Sequence, residues 1–347
     1  MTAPLLEVAD LHVEFDTYGG TVHAVRGVSF TVEAGETLAI VGESGCGKSV
    51  TVQSIMGLIP MPPGRITQGH ARLRGHDILR SKQIAGTDIR GAEIGMIFQD
   101  PMTSLNPTMT IGDQIAETLI VHRGFSKRQA SDRAIELLSA TRIPDAAKRA
   151  TQYPFEFSGG MLQRSMIAMA IACEPAILIA DEPTTALDVT IQAQILDLMQ
   201  DLQRQTGMAI VLITHDLGVV ARMADRVNVM YAGEIVEHGT TEDVFYRSAH
   251  PYTLGLRDAM PSNNTNKAHR LQPIDGSPPD LFAPPVGCGY FARCPHAMQI
   301  CSAQRPPLFG VGARHASRCW LQHEDARRVD ERIYIPARTD RTGQAAT

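Results

Sequence analysis

The 347-residue chain holds no uninterrupted run of about 18 apolar residues, the length a membrane-spanning helix needs. The nearest candidate, residues 166–180, is broken by Glu174 and Pro175. Residues 1–10 lack a basic stretch followed by an apolar core, so no signal peptide is expected. There is no basic excess either: Lys and Arg number 32 against 37 Asp and Glu, a net charge of −5. That argues against nucleic acid as the main partner, because phosphate neutralisation needs clustered cations. The paired C-x-x-C knuckles usual for zinc are missing too. These absences lead to the expectation of a cytosolic protein that reaches a membrane only through a partner. Apolar residues make up 44% of the chain, enough for a sizeable core in one large or two modest domains.

What is present centres on Gly42-Glu43-Ser44-Gly45-Cys46-Gly47-Lys48-Ser49, a G-x-x-x-x-G-K-S loop. Its flanks suit it. Residues 37–41 are an apolar run of buried-strand length, and residues 49–58, starting Ser49-Val50, have helical apolar spacing. Glycines let backbone N–H groups wrap a triphosphate, and the helix N-terminus adds partial positive charge. Lys48 is expected to reach the terminal phosphates, and Ser49 to place its hydroxyl on Mg²⁺. Cys46 occupies a variable position, where backbone rather than thiol is expected to matter.

The rest of the chain reads as strands feeding polar residues toward that loop. Residues 5–15 and 22–32 alternate like antiparallel strands. Pro60-Met61-Pro62-Pro63-Gly64 is a break. Short strands are expected at 71–73 and 94–98, the second followed by Gln99-Asp100-Pro101. Residues 111–121 and 127–140 have helical spacing. Ser158-Gly159-Gly160 opens a further helix over 161–172, a second possible anion site, with Cys173 expected on a core helix. Residues 176–180 form an apolar strand that ends in Asp181-Glu182. One carboxylate there can hold Mg²⁺ and the next can polarise an attacking water. An amphipathic helix over 190–205 and a strand over 208–214 follow. His215-Asp216 then stands at a strand end parallel to the carboxylates. Residues 226–237 read as a final hairpin.

This set of motifs, in this order, resembles the ATP-binding cassette (ABC) ATPases over residues 5–240. The family signature LSGGQ here reads Phe157-Ser158-Gly159-Gly160-Met161, followed by Gln163-Arg164, a departure at two positions. The stretches Phe98 to Pro107 and Asp181 to Thr190, and His250-Pro251-Tyr252-Thr253, resemble the ATPase subunits of bacterial dipeptide and oligopeptide importers. The resemblance implies an α/β fold: a RecA-like P-loop core, an antiparallel β subdomain, a helical signature subdomain and a small cysteine-bearing C-terminal extension. The expected division is 1–250 for the ATPase domain, with a helical subdomain at about 100–165, then a Pro-rich connector at 251–286, a Cys-rich module at 287–325 and a tail at 326–347. By resemblance, Phe15 takes the adenine-stacking position. Ser49, Gln99 and Asp181 arrange Mg²⁺, Glu182 is the general base, and His215 contacts the γ-phosphate. Ser158, Gly159, Gly160, Met161 and Gln163 face ATP held by a partner cassette, and Asp188 signals across the dimer. Implied partners are a second, different ABC ATPase, two membrane permeases and, indirectly, an extracytoplasmic solute-binding protein. The implied location is the cytoplasmic face of the cell inner membrane, as a peripheral subunit. A same-subfamily importer of nickel or another small solute, and a soluble non-transport ABC ATPase, are the alternative functions.

Four cysteines, Cys288, Cys294, Cys301 and Cys319, cluster at intervals of five, six and seventeen residues. Thiolates at variable spacing suit an iron–sulfur cluster, and the importer resemblance implies 4Fe–4S. Zinc and reduced structural thiols remain the alternatives. His296 and His315 read as exposed loop histidines.

Overall fold

The computed structural model describes residues 3–79, 89–185, 187–260 and 274–336. Pro273 of the expected connector, Ala186 of the carboxylate motif and residues 337–347 of the expected tail lie outside them.

The chain opens with β1 (Leu6–Thr17) and β2 (Gly20–Val32), then β3 (Thr37–Val41), α1 (Lys48–Ile55), β4 (Gly64–Leu73), β5 (His76–Asp77) and β6 (Ile94–Ile97). A helical stretch follows: α2 (Pro101–Ser104), α3 (Ile111–Arg123), α4 (Lys127–Ala140), α5 (Ala146–Ala150) and α6 (Gly159–Ala170). Then come β7 (Ile177–Asp181), α7 (Val189–Thr206), β8 (Ala209–Thr214), α8 (Leu217–Met223), β9 (Arg226–Tyr231), β10 (Glu234–Thr240), α9 (Thr241–Tyr246) and α10 (Pro251–Asp258). The chain closes with α11 (Gln299–Ala303), β11 (Phe309–Gly310) and β12 (Ala316–Ser317).

Among the described residues these strands make two sheets. One is antiparallel, in the order β2-β1-β4-β5; the other is mixed, in the order β11-β12-β10-β9-β3-β8-β7-β6. In the mixed sheet β6, β7, β8, β3 and β9 run parallel, so their C-terminal ends share one edge. Open α/β sheets collect ligand groups at that edge.

The near-continuous apolar strands follow from burial on both faces. Successive side chains alternate sides, so Leu178 and Ala180 of β7, with Ile210 and Leu212 of β8, pack into a core built with α3, α4, α6 and α7. Ile177, Ile179, Val211 and Ile213 turn the other way, into a core shared with α1 and the antiparallel sheet. Each fully buried Leu or Ile here contributes about 1.5–3 kcal/mol.

The C-terminal region departs from expectation. The β9–β10 hairpin is not final, because β12 pairs with β10 and β11 with β12, extending the main sheet. The expected extended connector opens with a buried helix, α10, capped by His250, whose Nδ1 accepts from Tyr252 N at 3.0 Å. Pro251 sits at the first helical position, where its missing N–H is harmless. His315 is not exposed: it pairs with Glu237 at 2.7 Å, and their side chains are 1% and 0% exposed. Glu237 also accepts from the N–H groups of Ala249 and His250, at 2.7 and 2.9 Å. His296 is largely buried and lies 3.5 Å from Asp330. Cys173 is core, as expected, but lies in the turn after α6 rather than on a helix.

Candidate active site

The glycine-rich loop leaves β3, whose five residues are all buried. Its path is set by close backbone contacts. A Cβ on Gly42 would lie 2.1 Å from Met230 O, and one on Gly47 2.4 Å from Ala24 O. Both glycines have positive φ, 154° and 99°. No other residue fits such spacing and torsions. Lys48 is 5% exposed, and its ammonium donates to Gly42 O at 2.8 Å and Glu43 O at 3.0 Å. The Cys46 carbonyl accepts from Gly233 N at 3.0 Å. Its thiol is also buried; burial pushes its pKa up, against the opposing charge of Lys48.

The adjacent strand ends bring the polar residues in. Asp181, the last residue of β7, is buried and accepts from Ser49 Oγ at 2.9 Å. Burial raises its pKa; the Ser49 hydrogen bond opposes this and the Glu182 charge adds to it. Glu182 adopts a left-handed backbone, φ 48°, with its N–H held by Ile213 O at 2.9 Å. Such strain in a non-glycine residue persists only where the surroundings over-determine it. The Glu182 carboxylate is gripped by three neighbours. Gln99 Nε2 and Thr185 Oγ1 donate to Oε2 at 3.0 and 2.9 Å, and His215 Nδ1 lies 3.1 Å from Oε1. An ionised carboxylate only accepts, so the last contact requires the proton on Nδ1. Burial would push Glu182 up, but the hydrogen bonds from His215 and Thr185 outweigh it and hold its pKa below the ordinary value. Two consecutive carboxylates are thus driven in opposite directions by their surroundings.

Loop, Ser49, Gln99, Asp181, Glu182 and His215 therefore meet at one sheet edge. Phe15, near the end of β1, is partly buried against the core beside α1. The residues from 158 to 163 are placed elsewhere. Ser158 and Gly159 are exposed at the N-terminus of α6, and the Ser158 side chain makes no cap hydrogen bond there. Gly160 approaches Ile191 and Gly159 approaches Leu187, at the start of α7. Met161 packs partly against the core. Gln163, expected to face a partner's nucleotide, is 2% exposed in this chain, one turn into α6. Asp188 caps α7, accepting from Ile191 N at 2.9 Å.

Three contributors escaped the sequence reading. Thr185 reaches Glu182, as above. Tyr252 and Arg293 both reach Glu43 of the loop from more than 200 residues away. For Thr185 the signal was its place three residues after Glu182. Tyr252 stood in the His250-Pro251-Tyr252-Thr253 motif, but nothing local tied it or Arg293 to Glu43.

A second cluster lies in the C-terminal region. Cys288, Cys294, Cys301 and Cys319 line one small cavity together with His250, Tyr290 and His296. The thiols are free. Burial pushes Cys288 up to about 12 and Cys294 up to about 11, and it raises Cys319 as well. Among the described residues, no group of three or more His, Cys, Asp or Glu side chains is arranged to hold a metal ion.

Comparison with known proteins places this architecture. Residues 25–185 match the ABC transporter family, and residues 236–301 match the oligopeptide/dipeptide transporter C-terminal region. The chain is 56% identical to the dipeptide transport ATP-binding protein DppD of Bacillus subtilis over 322 residues, 93% of this chain and 96% of that one. It is 56% identical to the oligopeptide transport ATP-binding protein OppD of the same organism over 326 residues, 94% of this chain and 91% of that one. The solved dimeric ATP-binding cassette MJ0796, bound to ADP and Pi, superposes with a TM-score of 0.61 at 28% identity, covering 68% of this chain and 98% of that one. The cassette fold with its mixed and antiparallel sheets, and similarity running through both the loop-bearing and C-terminal regions, make this chain a member of the ABC transporter family, among the ATP-binding subunits of dipeptide and oligopeptide transporters.

Proposed function

We propose that the chain hydrolyses ATP to energise import of dipeptides or oligopeptides through membrane permease partners. The observation that carries this is the identity with DppD and OppD over more than nine-tenths of the chain, C-terminal region included. Among the described residues no helix is long and apolar enough to cross a membrane, which suits a peripheral subunit on the cytoplasmic face of the inner membrane. The segment after Gln99 and the helical region to about residue 157, where Met102, Tyr153 and Phe155 are exposed, dock the permeases, with a solute-binding protein delivering substrate on the far side. Residues 1–250 act as the nucleotide-binding unit, with its helical subdomain at about 100–165. Residues 251–286 connect it to the cysteine-rich module of 287–325 and a tail.

In the catalytic reading, Lys48 and the N–H groups of residues 42–50 neutralise phosphate charge, and Phe15 stacks on adenine. Ser49 and Asp181 fit Mg²⁺, since a buried carboxylate and a hydroxyl 2.9 Å apart form an oxygen donor pair, with Gln99 beside them. A bound Mg²⁺ would neutralise charge on the phosphate oxygens. Glu182 takes a proton from water as that water attacks the γ-phosphorus. The new P–O bond replaces the bridging one, and ADP leaves with the electron pair. Gln99, Thr185 and His215 fill three of the roughly four acceptor positions of Glu182, leaving one for water. Phosphoryl transfer rests on placement and electrostatics, which this grip supplies.

Ser158 and Gly159 face outward, and with Asp188 they complete a site on a second cassette of related but different sequence. The variant Glu182→Gln should lose ATP turnover by roughly 10²–10⁴-fold while binding ATP normally. Near-normal phosphate release from that variant would sink the assignment of the base.

The four-cysteine cavity fits a 4Fe–4S cluster in its donor chemistry, four thiols on one cavity wall, although the side chains do not stand in ligating geometry. Anaerobically purified protein should carry iron and broad visible absorption that Cys294→Ala removes; zinc in its place, or no metal, rejects the cluster.

A further inference from the structure

Glu43, the second residue of the phosphate loop, is held from three sides. Its carbonyl accepts from Lys48 Nζ at 3.0 Å. Its N–H donates to the hydroxyl of Tyr252 at 2.9 Å. Its carboxylate is forked by Arg293, with Nη1 to Oε2 at 2.6 Å and Nη2 to Oε1 at 2.9 Å. The Arg293 side chain is 5% exposed and is itself fixed. It donates to Ile274 O at 3.1 Å, Asp275 O at 2.9 Å and Tyr231 Oη at 3.2 Å. The rings of Tyr231 and Tyr290 flank it at 5.8 and 6.0 Å. Tyr252 is fully buried, with its ring 4.5 Å from Tyr231 and 5.4 Å from Tyr290.

We infer that Tyr252 and Arg293 are positioning residues for nucleotide binding: the C-terminal region clamps the phosphate loop at Glu43 and cancels its charge. This deepens the ATPase reading and rests on it. The argument has two parts. A glycine-rich loop is entropically costly to order, and a buried bidentate guanidinium prepays that ordering before nucleotide arrives. A carboxylate within a loop that must accept triphosphate repels it, unless a cation is bound to that carboxylate. Arg293 answers both needs from 250 residues away. Lysine would keep the charge and lose the fork.

The test uses the full-length chain and measures ATP binding at equilibrium, turnover at saturating ATP and thermal melting. Arg293→Ala should raise the ATP dissociation constant about tenfold and leave saturated turnover within about twofold. Arg293→Lys should recover part of the loss. The double variant Glu43→Gln/Arg293→Ala should bind no more weakly than Arg293→Ala, because both act through one contact. The clamp is overturned if Arg293→Ala melts and binds ATP like the wild type, or if the two substitutions act independently. Should Arg293→Ala fail to fold, Tyr252→Phe decides. It removes only the hydroxyl that receives the Glu43 N–H, and an unchanged dissociation constant for it overturns the proposal. A wild-type chain that binds no ATP at all would overturn the clamp and the nucleotide reading together.

Discussion

Around residues 42–49 the framing elements, β3 and α1, adjoin the loop in sequence, and the contacts of Lys48 span only five or six residues. Lys48 returns to Gly42 and Glu43, and Ser49 meets the end of β7. Around residues 288–319 almost every decisive contact is remote. Arg293 reaches Glu43, His315 reaches Glu237, and Arg318 N reaches Val236 O at 2.7 Å. The first region is a motif framed by a strand and a helix adjacent to it in sequence, to which the C-terminal region adds the contacts at Glu43. The second has little regular structure and is held by polar groups that take their partners from the cassette. The contrast teaches that a short-elemented extension can be rigid without a large core of its own, provided its charges are paired and buried. Such pairing is unforgiving, because removing one member strands the other in the interior.

The sharpest way to break this contrast is at Glu237. Glu237→Ala leaves His315 and two backbone N–H groups without their acceptor. It should destabilise the protein by about 3–5 kcal/mol in denaturant melts, with protease cleavage appearing first after residue 248. A melt within about 0.5 kcal/mol of wild type would mean that the C-terminal region is held by its apolar contacts alone. The corresponding change at the loop is Lys48→Ala. It should weaken ATP binding about 100-fold, as loss of one preorganised donor does, yet leave folding intact; binding titration and melting together separate the two effects.

Subtler is Thr185→Val, which removes one hydrogen bond to Glu182. Glu182 lies below its ordinary pKa because its hydrogen bonds outweigh burial, so losing one raises it. On the proposed mechanism the active form of Glu182 is the carboxylate. Activity falls as pH drops through that pKa, so the acid limb of the turnover profile should move to higher pH. A limb that stays in place or moves lower would show that Thr185 does not tune the base. The smallest expected effect is Asp188→Ala, which removes the cap of α7. It should cost about 1 kcal/mol of stability by thermal melting, and a larger loss in turnover than in stability would support a role across the cassette interface.

Much of the cassette was legible because its signals are local. Helices α3 and α4 lie where apolar spacing put them, and α7 spans Val189–Thr206 against an expected 190–205. The parallel run of β7 beside β8, with Asp181 at the end of the one and His215 just beyond the other, follows from two short apolar stretches bounded by polar residues. The misreadings share one cause, which is that local composition was allowed to stand for environment. The expected connector begins at residue 251, yet α10 occupies Pro251–Asp258; the prolines that suggested it, Pro278, Pro279, Pro284 and Pro285, do lie outside any helix or strand. His315 looked like a loop residue, but its loop folds over Glu237 and removes both from water.

Taken alone, the amino-acid order determines that there is a phosphate loop, that its strand and helix flank it, and that Asp181 and Glu182 close a buried strand. Those facts follow from torsional freedom at glycine and from apolar periodicity, which act over a few residues. Tertiary structure alone decides which neighbours grip Glu182, which way Gln163 turns, and that Tyr252 and Arg293 close on Glu43. These depend on which charges lose their water together, and that is settled only when distant stretches pack against one another.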